Sequence, residues 1–211
     1  MKLQITFNSA DLEQSLTIAK QVSHLADQIE VGSLLLGRYG LTAIQRFRAE
    51  LPHSKLIANS KIVEFGKDSA KMNLEAGADW ITVLAGANPE IIHAACTTTH
   101  DLGKKVMLDL IDAQSQGQSA LEAKSLGVDA LLLHQPYDNF DPTALFDQWD
   151  LVRGNTDLPI YISAKINRDT ISSILEFNPD GLAIGKAITF AQDPVTEAEF
   201  FQKLLRTYPS E

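Results

Sequence analysis

The side chains able to do chemistry in this sequence stand at the ends of short apolar runs. Glu30 lies inside Ile29-Glu30-Val31-Gly32; Asn59, Ser60 and Lys61 follow Leu56-Ile57-Ala58, with Glu64 just beyond; Asp109 closes Val106-Met107-Leu108; His134 closes Leu131-Leu132-Leu133. Asn8 follows the first such run, Ser163 and Lys165 the seventh, and Gly185 and Lys186 the eighth. A carboxylate inside an apolar run is costly unless paired, which points Glu30 at a metal ion or a lysine. Lys61 beside Glu30 and Asp109 would complete a buried charge network. His134 reads equally as a hydrogen-bonded core residue and as a functional one. The Gly185-Lys186-Ala187-Ile188 segment can present backbone N–H groups at the start of a short helix, with the Lys186 charge beside them. Phosphate binding is the natural use of that arrangement. Lys165 and Arg168 are the further cations that could reach it.

These residues need a scaffold that brings run ends together, and the pattern supplies one. Apolar, β-branched runs at 3–7, 28–32, 55–58, 80–84, 105–110, 130–133, 159–163 and 181–184 alternate with helical spacing at 11–25, 41–51, 67–76, 89–102, 117–126, 143–151, 168–175 and 196–205. Ser9 or Asp11 can cap the first helix, Asn88-Pro89 the fourth and Asn167 the seventh. Gly77 and Gly127 are placed as C-cap glycines, and Asn178-Pro179-Asp180 ends a third helix in the same manner. Strands apolar on both faces and joined by helices imply a parallel sheet. Eight of them predict a single α/β domain over residues 1–211, a (β/α)8 TIM barrel with a closed eight-stranded sheet. The competitor is an open doubly wound sheet, which would more often carry Gly-x-Gly-x-x-Gly after the first strand, where Phe7-Asn8-Ser9-Ala10-Asp11 stands. In a barrel the carboxyl ends of the strands form one mouth, and the run-end residues above would line it. Residues two apart on a strand share a face, so Asn59 and Lys61 should both point inward.

Composition narrows the partners. The 211 residues are 45% hydrophobic and 21% charged, with a net charge of −9 and one cysteine. The acidic balance argues against a nucleic-acid or anionic-membrane surface. No apolar run approaches the roughly 18 residues of a membrane span, and the start of the chain alternates polar and apolar residues rather than forming a signal peptide. Cys96 cannot form an internal disulfide and is read as core, so a cytoplasmic setting is expected.

The segments Ile29-Glu30-Val31-Gly32, Ala58-Asn59-Ser60-Lys61-Ile62-Val63-Glu64-Phe65-Gly66, Gly77-Ala78-Asp79-Trp80-Ile81-Thr82-Val83, Leu133-His134-Gln135-Pro136-Tyr137-Asp138 and Ile184-Gly185-Lys186-Ala187-Ile188 occur in an order that runs along nearly the whole chain. Through them the sequence resembles the 3-hexulose-6-phosphate synthase and 3-keto-L-gulonate-6-phosphate decarboxylase family, within the orotidine-monophosphate-decarboxylase-like barrels. The resemblance implies a homodimer with sites at its interface, Mg2+, and a phosphorylated ketose that passes through an enediolate. By the same resemblance Glu30 and Asn59 stand at the metal-ligand positions, Lys61 and Glu64 in the catalytic signature, and His134 at the proton-transfer position. Asp109, Tyr137 and Asn8 match substrate-contacting positions, and Lys165, Gly185 and Lys186 the phosphate site.

The chain departs from the family where charge is concentrated. The signature Asp-x-Lys-x-x-Asp reads Asn59-x-Lys61-x-x-Glu64, and Asn8 stands where an aspartate is expected. An amide oxygen can bind Mg2+, but a less negative site binds it more weakly. Tyr137 follows the synthase pattern, whereas Gly185-Lys186 is closer to the Gly-Arg of the decarboxylases. The leading expectation is a synthase-type lyase joining formaldehyde to ribulose 5-phosphate. The alternatives are decarboxylation of 3-keto-L-gulonate 6-phosphate, Schiff-base chemistry at Lys61, and a sugar-phosphate-binding relative without turnover.

Overall fold

A computed structural model describes residues 1–136 and 141–208. The first strand, β1 (Lys2–Phe7), is followed by α1 (Leu12–Val22), β2 (Gln28–Val31), α2 (Ser33–Tyr39), α3 (Leu41–Glu50), β3 (Leu56–Ile62) and α4 (Gly66–Glu75). The chain continues through β4 (Trp80–Leu84), α5 (Pro89–Asp101), β5 (Lys105–Asp109), α6 (Gln116–Ala123), β6 (Ala130–His134) and α7 (Pro142–Arg153). It ends with β7 (Ile160–Ser163), α8 (Ile171–Leu175), β8 (Gly181–Ile184), α9 (Lys186–Thr189) and α10 (Pro194–Thr207). Each strand pairs in parallel with its sequence neighbours, and β8 returns to β1 to close the barrel. The fold is a (β/α)8 TIM barrel.

Alternation along the strands sorts side chains into two cores. Outward residues such as Ile5, Ile29, Ile81, Leu131 and Ile162 pack with the helices in one continuous cluster. Inward ones, Ile57, Trp80, Met107, Leu132 and Tyr161 among them, fill the barrel floor. Above that floor the inward positions turn polar, with Glu30, Asn59, Thr82 and Asp109 all buried. Cys96 is in the outer core as expected, and burial pushes its thiol up to about 12.

The helix ends carry the expected chemistry, with differences of detail. Asp11, rather than Ser9, caps α1 by accepting from the Gln14 N–H, and α1 stops at Val22, with a 3-10 turn over Ser23–Leu25. Asn88 caps α5 as read from the sequence, and Asp141 and Asp193 repeat the same device before a proline. Asn167 caps a turn, accepting from Asp169 and Thr170, so α8 begins later than residue 168. Gly77, Gly127 and Asn178 adopt positive φ, the left-handed stop after a helix. Helix α2 falls between the expected strand at 28–32 and the expected helix at 41–51, where the sequence pattern predicts no helix.

The amino-terminal rim holds a fourfold pattern. Asp27, Asp79, Asp129 and Asp180 each stand one residue before an even-numbered strand. Their carboxylates accept the backbone N–H of Leu3, Leu56, Val106 and Ile160 in the preceding odd strand, at 2.8–3.0 Å. Each aspartate also donates its own N–H to the carbonyl of that same residue. The two bonds clasp β1 to β2, β3 to β4, β5 to β6 and β7 to β8. At Asp79 the clasp is braced by Arg48 and by Lys104 at 2.6 Å, and these partners hold its carboxyl below the usual range although burial opposes them.

Candidate active site

The mouth is a cavity of about 320 Å3, lined by Glu30 and Asn59 on one side, His134 and Ser163 on another, and Gly185 and Lys186 on a third. Asn8 also lines it, with Oδ1 accepting the Leu34 N–H of α2 at 2.9 Å. Gly32 makes that contact possible, because a Cβ there would lie 2.5 Å from the Phe7 carbonyl and 2.8 Å from Asn8 Oδ1. Asn8 therefore fastens the start of α2 to the end of β1.

Between β3, β5 and β6 lies a charged triad. Asp109 is fully buried, with its Oδ2 3.0 Å from Lys61 Nζ and both carboxylate oxygens 3.0 Å from His134 Nδ1. The Ile111 N–H adds a bond to Oδ1. Burial alone would raise the Asp109 pKa, but the hydrogen bond and charge of His134, with the Lys61 ammonium, hold it below the usual carboxylate range. His134 therefore faces a fixed anion through Nδ1, which leaves Nε2 for exchange with a substrate. Lys61 reaches Asp109 from an irregular point in β3, where the register shifts between Ala58 and Ile62 and Lys61 adopts φ 44°. The alternation expected there is broken: Asn59 lines the cavity, Lys61 turns to Asp109 rather than lining it, and Ser60 bonds to the Thr82 carbonyl of β4.

Across the mouth Glu30 is held by neutral donors. Asn59 Nδ2 donates to Oε1 at 2.7 Å; Gln4 Nε2 and Thr6 Oγ1 donate to Oε2. Burial pushes the Glu30 pKa up, and the bonds from Asn59 and Gln4 and the charge of His134 offset only part of that. Gln4, Thr6 and Thr82 were missed in the sequence. The signal was there, since Gln4 and Thr6 are polar residues two apart in β1, facing the same way as Gln28 and Glu30 in β2.

Three sequence candidates fall elsewhere. Glu64 and Lys165 are exposed and do not line the cavity. Arg168, counted among the phosphate cations, pairs with Glu197 through Nε and Nη2 and lies over the Phe200 ring at 4.0 Å. Tyr137 lies outside the described residues.

Residues 1–201 match the family described as orotidine 5'-phosphate decarboxylase / HUMPS. The chain belongs to that family. A 3-hexulose-6-phosphate synthase of Bacillus subtilis (strain 168) is 27% identical over 207 residues, covering 97% of this chain and 99% of the relative. One from Staphylococcus epidermidis is 28% identical over 201 residues, covering 94% and 96%. Among solved structures, 3-hexulose-6-phosphate synthase from Salmonella typhimurium superposes with a TM-score of 0.91 at 26% identity, covering 99% and 100% of the two chains. KGPDC from Streptococcus mutans shares the fold, with a TM-score of 0.87 at 21% identity over 98% of each chain.

Family membership raises the question of a divalent cation at Glu30 and Asn59. Mg2+ needs near-octahedral oxygen ligands at about 2.0–2.1 Å. Asn59 presents its N–H, not its oxygen, to Glu30, and both Glu30 oxygens already accept hydrogen bonds. Among the described residues no three His, Cys, Asp or Glu side chains converge to hold a metal. As arranged, the donors do not fit the cation.

Proposed function

We propose that this protein is a carbon–carbon lyase of the 3-hexulose-6-phosphate synthase kind, joining formaldehyde to ribulose 5-phosphate. The observation that supports this most is the Lys61–Asp109–His134 triad beside a cavity whose opposite wall is the Gly185–Lys186 turn. The turn and the Lys186 ammonium would hold the phosphate. His134, oriented by Asp109, would take a proton from C1 of the ketose. The electron pair left behind forms an enediolate, whose negative oxygen lies against the Lys61 ammonium. The enediolate carbon then attacks formaldehyde, a C–C bond forms, and the formaldehyde oxygen receives the proton from His134. No atom is oxidised by an outside reagent, and none is lost.

The oligomer and the setting belong to the same proposal. Val63, Phe65 and Met72 are exposed on the β3–α4 segment and on α4, an apolar face suited to a second copy of this chain. No helix among the described residues is long and apolar enough to cross a membrane. A lone, buried Cys96 needs no oxidising compartment, which supports a cytoplasmic enzyme.

The test is formaldehyde consumption with ribulose 5-phosphate by wild type and His134→Gln. Wild type should turn over, and the variant should lose about 10²–10⁴-fold in kcat with its fold retained by circular dichroism. Carbon dioxide release from 3-keto-L-gulonate 6-phosphate, without formaldehyde fixation, would replace this reading with decarboxylation. Neither activity, with ribulose 5-phosphate still bound, would leave a binding protein.

A further inference from the structure

We infer that Asn59 takes the place of the divalent cation in this mouth, satisfying Glu30 with one side-chain N–H and offering the other to a substrate oxygen. The orientation of the amide is set by a directional chain of hydrogen bonds. The Lys61 backbone N–H donates to Thr82 Oγ1 at 2.9 Å, so the Thr82 hydroxyl directs its own proton onward, to Asn59 Oδ1 at 3.4 Å. With its oxygen engaged by Thr82, Asn59 turns Nδ2 to Glu30 Oε1 at 2.7 Å. Gln4 and Thr6 donate to the other carboxylate oxygen, so three donors converge on one buried acid. Donors aimed at a carboxylate compensate its charge as a cation would, while occupying the lone pairs a cation needs.

The amide has a second N–H. Asn59 is 6% exposed and lines the cavity, so that hydrogen belongs to the mouth rather than to the protein interior. A fixed N–H donor in a water-poor site stabilises a developing oxyanion without any reorganisation. An aspartate at this position would set two carboxylates against each other and restore the demand for a cation. Only the role of the second N–H rests on the ketose-phosphate reading; the cation replacement stands apart from it.

The experiment is a Mn2+ titration of chelator-treated full-length protein, following free Mn2+ by electron paramagnetic resonance. Wild type should take up no stoichiometric Mn2+ and should match Glu30→Gln. Asn59→Asp should gain one Mn2+ per chain, with a melting temperature that rises on adding Mg2+, whereas the wild-type melting temperature stays unchanged. Stoichiometric uptake by wild type that disappears in Glu30→Gln would overturn the inference. So would an Asn59→Asp variant that is folded yet takes up no metal. If that variant does not fold, the wild-type titration against Glu30→Gln decides alone. The second arm measures ribulose 5-phosphate binding by calorimetry in chelator and in Mg2+. Equal affinity in both, weakened about three- to tenfold by Asn59→Ala, is the expected result. A wild-type affinity that depends on Mg2+ refutes the replacement. Absence of any binding counts against the ketose-phosphate reading, and the Mn2+ titration still decides the role of Asn59.

Discussion

Glu30 and Asp109 are both buried carboxylates on the inner face of one barrel, and their surroundings are opposite in kind. Glu30 is ringed by the neutral donors Gln4, Thr6 and Asn59; Asp109 stands between Lys61 and His134. Burial raises the pKa of each, and only at Asp109 do the neighbours reverse it. The difference teaches that depth does not set the role of an acid in this mouth. Full charges hold Asp109 as an anion against His134 and Lys61, whereas at Glu30 the dipoles offset burial only in part and its pKa stays raised.

The comparison breaks most sharply at Asp109. Asp109→Asn removes the anion while keeping the shape, so His134 loses its orienting partner and Lys61 its counter-charge. We expect kcat to fall by about 10³-fold in the formaldehyde-fixation assay, by analogy with loss of the orienting acid in other catalytic triads. Lys186→Ala is a control on the third wall, touching neither acid. It should raise the KM for ribulose 5-phosphate about tenfold and leave kcat within about twofold, since a uniform binding contact has been removed.

The smallest and most discriminating effect is in stability against pH. Asp109 has a folded pKa below its ordinary 3.8, so its contribution is present above that value and disappears as the pH falls through the folded pKa. Glu30 has a folded pKa above its ordinary 4.5, so its contribution is full below that value and is lost as the pH rises through the folded one. Melting curves should show the deficit of Asp109→Asn largest near neutral pH and shrinking in acid. Glu30→Gln should gain on wild type as the pH rises from acid to neutral. Parallel curves for both variants would erase the distinction between the two acids.

Much of this was legible in the sequence, for reasons that single residues make plain. The eight strands announced themselves because β-branched apolar runs buried on both faces have few other uses, and Asp109 and His134 showed because they end such runs. Asn88 acts through a side chain that accepts from the Glu90 N–H two residues on, and Gly77 and Gly127 through their own backbone, so their roles are local and visible. What escaped depends on distant partners. Helix α2 is spelled Ser33-Leu34-Leu35-Leu36-Gly37-Arg38-Tyr39 between Gly32 and Gly40, and it starts where it does because Asn8, just past the end of β1, holds the Leu34 N–H. The direction of the Asn59 amide is decided by Thr82 on β4, and the engagement of Arg168 by Glu197 on α10. Glu64 matched a signature position, but the loop after β3 leaves it exposed.

The four aspartate clasps change the unit in which this barrel is counted. Its seams are of two kinds: those inside a clasped pair, where an aspartate binds the neighbouring strand with both its carboxylate and its own N–H, and those between pairs, which carry no such double clasp among the described residues. The same spelling recurs about every fifty residues, which is the length of two strands and their helices rather than one. A barrel written this way repeats one two-strand clasp four times around its rim. Its lineage could have grown by copying a two-strand module, and a bioengineer would cut it at Gly103, between clasped pairs, rather than at Gly77, within one.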